Sequence, residues 1–250
     1  MSKKARKSGS SARSVKENNV VHPSFEEKGW HPLDEEIDRR RDQKYIKTIK
    51  PRSEGQAALM EAIKDYNLTL AIGPAGTGKT YLAISAAVEA LEKGEVERII
   101  LSRPAMEAGE SLGYLPGDMH EKMAPYLRPL YDALGDRMGG KRVRTYIEDG
   151  TIEIAPIGFM RGRTLNNAFV VIDEAQNCTY GQLKMILSRL GWHSTMVVTG
   201  DPDQSDLLEG VSGLSEISRR LEKIRNVAVC RLDQGDIVRH PLVAEMLDVL

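Results

Sequence analysis

One run, Gly73-Pro74-Ala75-Gly76-Thr77-Gly78-Lys79-Thr80, constrains this chain more than any other. The apolar Leu68-Thr69-Leu70-Ala71-Ile72 precedes it, and Tyr81 to Val88 follows with a helical pattern. The order predicts a buried strand, a glycine-rich loop and a helix, and the spacing matches G-x-x-x-x-G-K-[ST]. Glycines at 73, 76 and 78 let the backbone curl so that several N–H groups converge on a polyphosphate. The first helical turn adds unpaired N–H groups and the positive end of its dipole. Lys79 reaches the β- and γ-phosphates as a point charge, and the Thr80 hydroxyl is placed to ligate Mg²⁺. A bare glycine-rich turn would lack the flanking strand and helix. The expectation is a nucleoside triphosphate cradled by residues 73–80.

The remaining pattern says what surrounds that loop. Ser53 is placed to cap a helix over Glu54 to Tyr66, with Leu59, Ile63 and Tyr66 as its buried stripe. The helix after the loop should end near Lys93, where Gly94 supplies the stop. Strands are expected over Arg98–Ser102, Thr151–Ala155, Ala168–Ile172, Thr195–Thr199 and Val227–Leu232. Helices are expected over about Asp118–Leu134, Tyr180–Leu190, Val211–Ile224 and Pro241–Leu250, the first interrupted by Pro125 and Pro129. Arg103 to Gly117 reads as a Gly- and Pro-rich loop. Strands alternating with helices argue an α/β fold with a mostly parallel, doubly wound sheet.

Composition bounds the setting. The chain has 250 residues with 41% apolar content, enough for one large α/β domain plus an extension. Net charge is −1, but residues 1–16 hold six of the 35 basic residues and no acid, leaving 29 against 36 acids. A basic tail on a mildly acidic body fits nucleic-acid contact or simple solubilisation. Residues 1–20 are expected to be disordered and residues 21–50 a charged linker, with the ordered domain over 51–250. Cys178 and Cys230 do not suggest a disulfide framework, and no apolar run is long enough for a membrane span. These features argue a cytoplasmic protein in a reducing compartment, without membrane association.

Asp173-Glu174 follows the apolar run Ala168–Ile172, where parallel strands end and ligands sit. Asp173 is expected to hold Mg²⁺ through its water shell. Glu174 is placed to orient a water and accept its proton, or else to cap the helix beyond Cys178. Thr199-Gly200-Asp201-Pro202-Asp203-Gln204 repeats the arrangement on the next strand. Gln204 can then bridge a phosphate oxygen and a water, unless the run is only a β-turn.

Gln56, Gly73–Thr80, Asp173-Glu174-Ala175-Gln176 and Gly200–Gln204 together are similar to superfamily-one helicase motifs. More closely, Ser102–Gly117, Met160-Arg161-Gly162-Arg163-Thr164 and Asp236-Ile237-Val238-Arg239-His240-Pro241 resemble the PhoH family of phosphate-starvation-inducible ATPases. The resemblance runs from about Pro51 to the C-terminus. It implies a single RecA-like P-loop domain, ATP and Mg²⁺ as cofactors, and single-stranded RNA as the polymer acted on. By the same resemblance Gln56 would bond the adenine edge; the absence of an [NT]-K-x-D guanine-reading motif agrees with ATP. Some relatives carry a nuclease-like domain, for which this chain has no room, and others work beside an RNA-processing partner.

About 200 residues suffice for one RecA-like domain, whereas superfamily-one helicases close ATP between two. An arginine finger is therefore expected from a neighbouring copy in a homo-oligomer, a hexameric ring by resemblance. Arg239 is the first choice for that catalytic role, with Arg161 and Arg163 as alternatives. Two functions fit: an RNA-dependent ATPase or helicase, and an ATP-gated adaptor of an RNA-processing partner that unwinds nothing. A small-molecule kinase fits less well, because no acceptor-binding motif is visible. Tyr114, Tyr126 and Phe159 are the candidate RNA-facing aromatics.

Overall fold

Apolar residues fill nearly every position of Leu68–Ile72 (β1) and Ala168–Ile172 (β4), and strands buried on both faces need helices on both faces. The computed structural model describes residues 49–104, 119–208, 210–238 and 246, with the backbone alone for 119–126. The other strands are Arg98–Arg103 (β2), Ile152–Pro156 (β3), Thr195–Gly200 (β5) and Val227–Arg231 (β6). All pair in parallel, in the order β3-β2-β4-β5-β1-β6. The parallel, doubly wound α/β sheet expected from the sequence is present.

Side-chain alternation sorts the core into two halves. Ala71, Ile99, Leu101, Phe169, Val171 and Val197 face one side. There they meet helices Glu54–Asp65 (α1), Lys79–Glu92 (α2), Met119–Met138 (α3) and Gly140–Glu148 (α4). Leu68, Leu70, Ile72, Val170, Ile172, Met196 and Val198 face the other. They meet the shorter helices Tyr180–Leu187 (α5) and Leu214–Leu221 (α6). The strand order has one consequence for the site. β5 lies between β1, which feeds the glycine-rich loop, and β4, which ends at Asp173. The ends of β1, β2, β4 and β5 therefore open along one carboxyl edge, where ligands sit in such sheets.

Several elements depart from the expected bounds. Ser53 caps α1 by accepting the Gln56 N–H at 3.1 Å, but the helix stops at Asp65. Tyr66 has turned to extended backbone and is exposed, so of the expected stripe Leu59 and Ile63 are buried, joined by Ala62. α6 is trimmed to Leu214–Leu221 because Gly213 occupies its N-cap and Val211 and Ile224 lie exposed beyond its ends. α5 ends at Leu187; Leu190 has left the helix for a bridge with Leu165. α4 was not legible, since Gly139-Gly140 looks like a break and only Val143 and Ile147 bury apolar side chains. Pro241–Leu250 lies outside the described residues except Met246, as do residues 1–48 and most of the loop after Pro104.

α3 is the instructive difference. Pro125 and Pro129 do not interrupt it; the helix runs unbroken from Met119 to Met138. An interior proline costs about 3 kcal/mol through a lost hydrogen bond and a clash one turn back. Against that, Leu127, Leu130, Ala133, Leu134 and Met138 are buried on the sheet-facing side, each large one contributing about 1.5–3 kcal/mol. Burial wins. Pro129 sits on the exposed side, where a carbonyl left without its N–H partner can be solvated.

Among the described residues no helix is long and apolar enough to cross a membrane. Cys178 and Cys230 are free thiols, and burial pushes the Cys178 thiol up to about 12. If packing holds α3 together despite its prolines, Leu130→Ala should cost about 2–5 kcal/mol in urea unfolding, the range for a fully buried leucine. A loss under about 1 kcal/mol would show that this face of α3 is not packed.

Candidate nucleotide site

The glycine-rich loop takes the curled form that its sequence requires. Gly76 and Gly78 have φ of 83° and 82°, left-handed values that favour glycine. At Gly73 a Cβ would lie 2.3 Å from the Leu232 carbonyl oxygen, so only glycine lets the loop leave β1 against its neighbour. The loop is braced from three sides. Thr77 Oγ1 donates to the Pro74 carbonyl at 2.9 Å, and Val238 N–H donates to the Gly76 carbonyl at 3.0 Å. Gln56, buried on α1, donates from Nε2 to the Thr77 carbonyl at 3.0 Å and accepts the Arg52 N–H at 2.9 Å. The Gln56 amide thus has its donor and its acceptor on backbone groups of the chain itself.

Lys79 opens α2 and is buried. Its Nζ donates to the carbonyls of Gly73 at 2.6 Å and Pro74 at 2.7 Å, and lies 3.3 Å from Thr77 Oγ1. Desolvation pushes this ammonium below its ordinary pKa, opposed by the charges of Asp201, Glu174 and Asp173. A desolvated cation held over the loop is positioned to transfer from neutral carbonyls to a stronger anionic partner.

Across the cleft, Asp173 is the meeting point. Its Oδ1 accepts Thr80 Oγ1 at 2.6 Å and Thr199 Oγ1 at 2.8 Å. One oxygen thereby links the start of α2, the end of β4 and the end of β5. Glu174 follows with φ 55° and ψ 42°, a left-handed conformation that costs a non-glycine residue about 1–3 kcal/mol. It makes no side-chain capping bond to the 3-10 turn Ala175–Asn177 behind it, and α5 is capped instead by Thr179 through a capping box with Gln182. The Glu174 carboxylate lines the cleft. Its Oε1 accepts Arg103 Nη2 at 3.1 Å and its Oε2 accepts Gln176 Nε2 at 2.5 Å.

Gln176 is a bridge. The other end of its amide accepts the buried Asp201 N–H at 3.0 Å, and its carbonyl accepts Ser205 Oγ at 3.1 Å. Asn177 beside it exchanges two bonds with Asp206, at 3.1 and 2.9 Å. The turn after β4 and the turn after β5 are thus stitched together. Gln204 ends the 3-10 turn Pro202–Gln204 and is exposed at the cleft mouth. The cleft has a volume of about 550 Å³, and α3 supplies its far wall through Pro129, Asp132 and Asp136.

The fold therefore gathers Ala75, Gly76, Gly78, Lys79 and Thr80 of the loop with Asp173, Glu174 and Gln204 around one cleft, with Gln56 behind the loop. Arg163 is tied to Glu153 by two bonds, at 2.5 and 2.7 Å, and Arg161 is exposed beyond the end of β3. Arg239 lies outside the described residues. Sequence reasoning gave no individual role to Arg103, Thr199 or Gln176, although all three lie in motifs it singled out. A signal for Arg103 existed: it ends β2, whose Ser102 pairs with Ile172, so it lies level with Asp173 on the carboxyl edge.

The bridge can be tested without nucleotide. Gln176→Leu keeps the volume but leaves the buried Asp201 N–H without a partner, so unfolding stability should fall by about 1–3 kcal/mol. An unchanged denaturation midpoint would show that the two turns are not held by this amide.

Comparison with known proteins adds the remaining findings. A family model described as PhoH-like protein matches residues 48–250. A PhoH-like protein of Bacillus subtilis (strain 168) is 54% identical over 203 residues, covering 81% of this chain and 64% of the relative. Protein PhoH of Escherichia coli (strain K12) is 45% identical over 216 residues, covering 85% of this chain and 61% of the relative. The chain thus spans rather more than three fifths of the length of these curated relatives. Among solved structures, the large terminase of a thermophilic bacteriophage superposes with a TM-score of 0.51 at 12% identity, over 80% of this chain and 50% of that one. At that identity the likeness is one of fold.

Proposed function

This chain belongs to the PhoH-like family, and on that premise we propose that it binds Mg²⁺ with ATP and hydrolyses the β–γ phosphoanhydride, acting on single-stranded RNA. The observation that supports the reading best is the convergence of Lys79, Thr80, Asp173 and Glu174 on one cleft. The residues fit both groups. Gly76 and Gly78 open the loop to a polyphosphate, and the N-terminus of α2 faces it. Thr80 and Asp173 offer hard oxygen donors. Among the described residues no cluster of three or more His, Cys, Asp or Glu forms a metal cage, and Mg²⁺ favours such open sites because it keeps several waters. Mg²⁺ held there neutralises phosphate charge.

The chain's own groups then divide the work. Backbone N–H groups of the loop orient the phosphates, and Lys79 moves from the Gly73 and Pro74 carbonyls to phosphate oxygens. Glu174 takes a proton from a water whose oxygen bonds to the γ-phosphorus. The bond to the β–γ bridging oxygen breaks, leaving ADP and inorganic phosphate. Gln204, at the mouth, orients that water and a phosphate oxygen together. Gln56 fixes the height of the loop through Thr77, and its amide keeps a second N–H and a second lone pair for an adenine edge.

For RNA, support comes from Phe159, 60% exposed just beyond β3, with Arg161 exposed beside it. An aromatic face next to a cation grips a single strand without reading its sequence. A homo-oligomeric ring, with Arg239 entering the next subunit's cleft, remains part of the proposal, as does action beside an RNA-processing protein. ATP turnover measured with and without single-stranded RNA, with unwinding of a tailed duplex scored in parallel, tests the reading. Stimulation without unwinding would favour an RNA-dependent ATPase over a helicase, and turnover indifferent to RNA with no unwinding would favour the ATP-gated adaptor. Lys79→Ala should abolish turnover and weaken nucleotide binding. Glu174→Gln should keep nucleotide bound while slowing hydrolysis by about 10²-fold or more. Wild-type turnover in Lys79→Ala would remove the phosphate-loop assignment.

A further inference from the structure

The charges lining the cleft do not suit an anionic ligand as they stand. Among the described residues that line it, five carboxylates, Asp132, Asp136, Asp173, Glu174 and Asp201, face two cations, Lys79 and Arg103. Polyphosphate entering such a cleft is repelled unless every available cation turns toward it, and Mg²⁺ with Lys79 supplies only part of what is needed. Arg103 is the other cation among the described residues of the wall.

We propose that Arg103 is a within-chain contact to the terminal phosphate of a bound triphosphate, and that it discriminates triphosphate from diphosphate. The inference rests on the ATP reading above and adds a residue to that site. Position supports it first. Arg103 is the last residue of β2, level with Asp173, and lines the same cleft as Lys79 and Thr80. Its Nη1 is 3.8 Å from Asp173 Oδ2 and its Nη2 is 3.1 Å from Glu174 Oε1, so the guanidinium spans the two acids that flank the reacting phosphate. The side chain is only 19% exposed, so much of its desolvation and ordering is met by the fold itself.

Geometry supplies the second argument. A guanidinium presents five donors in a rigid planar fork and matches phosphate oxygens as well as carboxylate. In the proposal this fork exchanges Glu174 for phosphate. The exchange has a consequence for Glu174. Both of its carboxylate oxygens accept hydrogen bonds, Oε1 from Arg103 and Oε2 from Gln176. Moving Arg103 onto a terminal phosphate frees Oε1 to receive a water's proton, and only a triphosphate extends far enough to draw it away. A diphosphate leaves the pair closed. The water-activating oxygen is thereby exposed only when there is a bond to cleave.

Calorimetric titration of the full chain with ADP and with the β,γ-imido analogue of ATP, both with Mg²⁺, tests the assignment. Wild type should bind the imido analogue more tightly than ADP. Arg103→Ala should lose that preference by about tenfold or more, the scale of one charge-assisted hydrogen bond, with ADP affinity within about twofold of wild type. Arg103→Lys, which keeps the charge but not the fork, should retain part of the preference. An unchanged ratio in Arg103→Ala, equal wild-type affinities for the two nucleotides, or parallel loss of both ligands would each overturn the assignment. Parallel loss would show that Arg103 holds the cleft together rather than reading the phosphate. A wild type that binds neither nucleotide would remove the ATP reading itself.

Discussion

One carboxylate oxygen carries the arrangement of this site. Asp173 Oδ1 accepts hydroxyls from Thr80, at the start of α2, and from Thr199, at the end of β5. Those groups come from segments far apart in sequence, and only the strand order brings them together. With β5 inserted between β1 and β4, its last residues lie between the phosphate loop and the acidic turn. The Gly73 N–H reaches the Gly200 carbonyl at 3.2 Å, and a side chain at Gly200 would strike Leu214 and Gln176. A small residue there lets the three strand ends close on one another. From Asp173 the network continues through Glu174 and Gln176 to Asp201, so the two acidic turns behave as one body.

That body is strained and charged, which is the condition of a site rather than of a resting core. Glu174 holds a left-handed backbone, Lys79 is desolvated, and carboxylates outnumber cations among the described residues of the wall. The supporting structure ties that body down on several sides. Two apolar layers cover the faces of a six-stranded sheet, and the segment after β6 is pinned to the loop at Gly76 and to α1 through Asp236, which accepts the Gly55 N–H at 3.1 Å. For the hydrolysis proposed above, a frame of this kind holds the groups assigned to the reaction in place before a ligand arrives, which is where electrostatic catalysis gains most.

Much of this could be read from the sequence, and the reasons are local. A glycine-rich loop between an apolar strand and a helix, and an apolar run ending in two acids, are signals carried by contiguous residues. Ser53 as a cap and Gly94 as a stop are likewise short-range. What stayed hidden depends on distance in the chain. Arg103 meets Glu174 across 71 positions, and Thr199 meets Asp173 across 26. The proline pair of α3 was misjudged because propensity is local, whereas the burial that overrides it comes from the sheet. Gln56 is a mixed case. Resemblance marked it as a site residue, and the fold gives its amide to the Thr77 carbonyl of the loop.

The central claim is that the phosphate loop and the turns after β4 and β5 form one unit joined at Asp173. Amide hydrogen exchange on the full chain, with and without Mg²⁺ and the β,γ-imido analogue of ATP, addresses it directly. The account predicts that amides in 76–80, 173–177 and 201–206 gain protection together, because ligand held by the loop is transmitted through Thr80, Asp173 and Gln176. Protection confined to 76–80, with the two acidic turns exchanging as before, would contradict it.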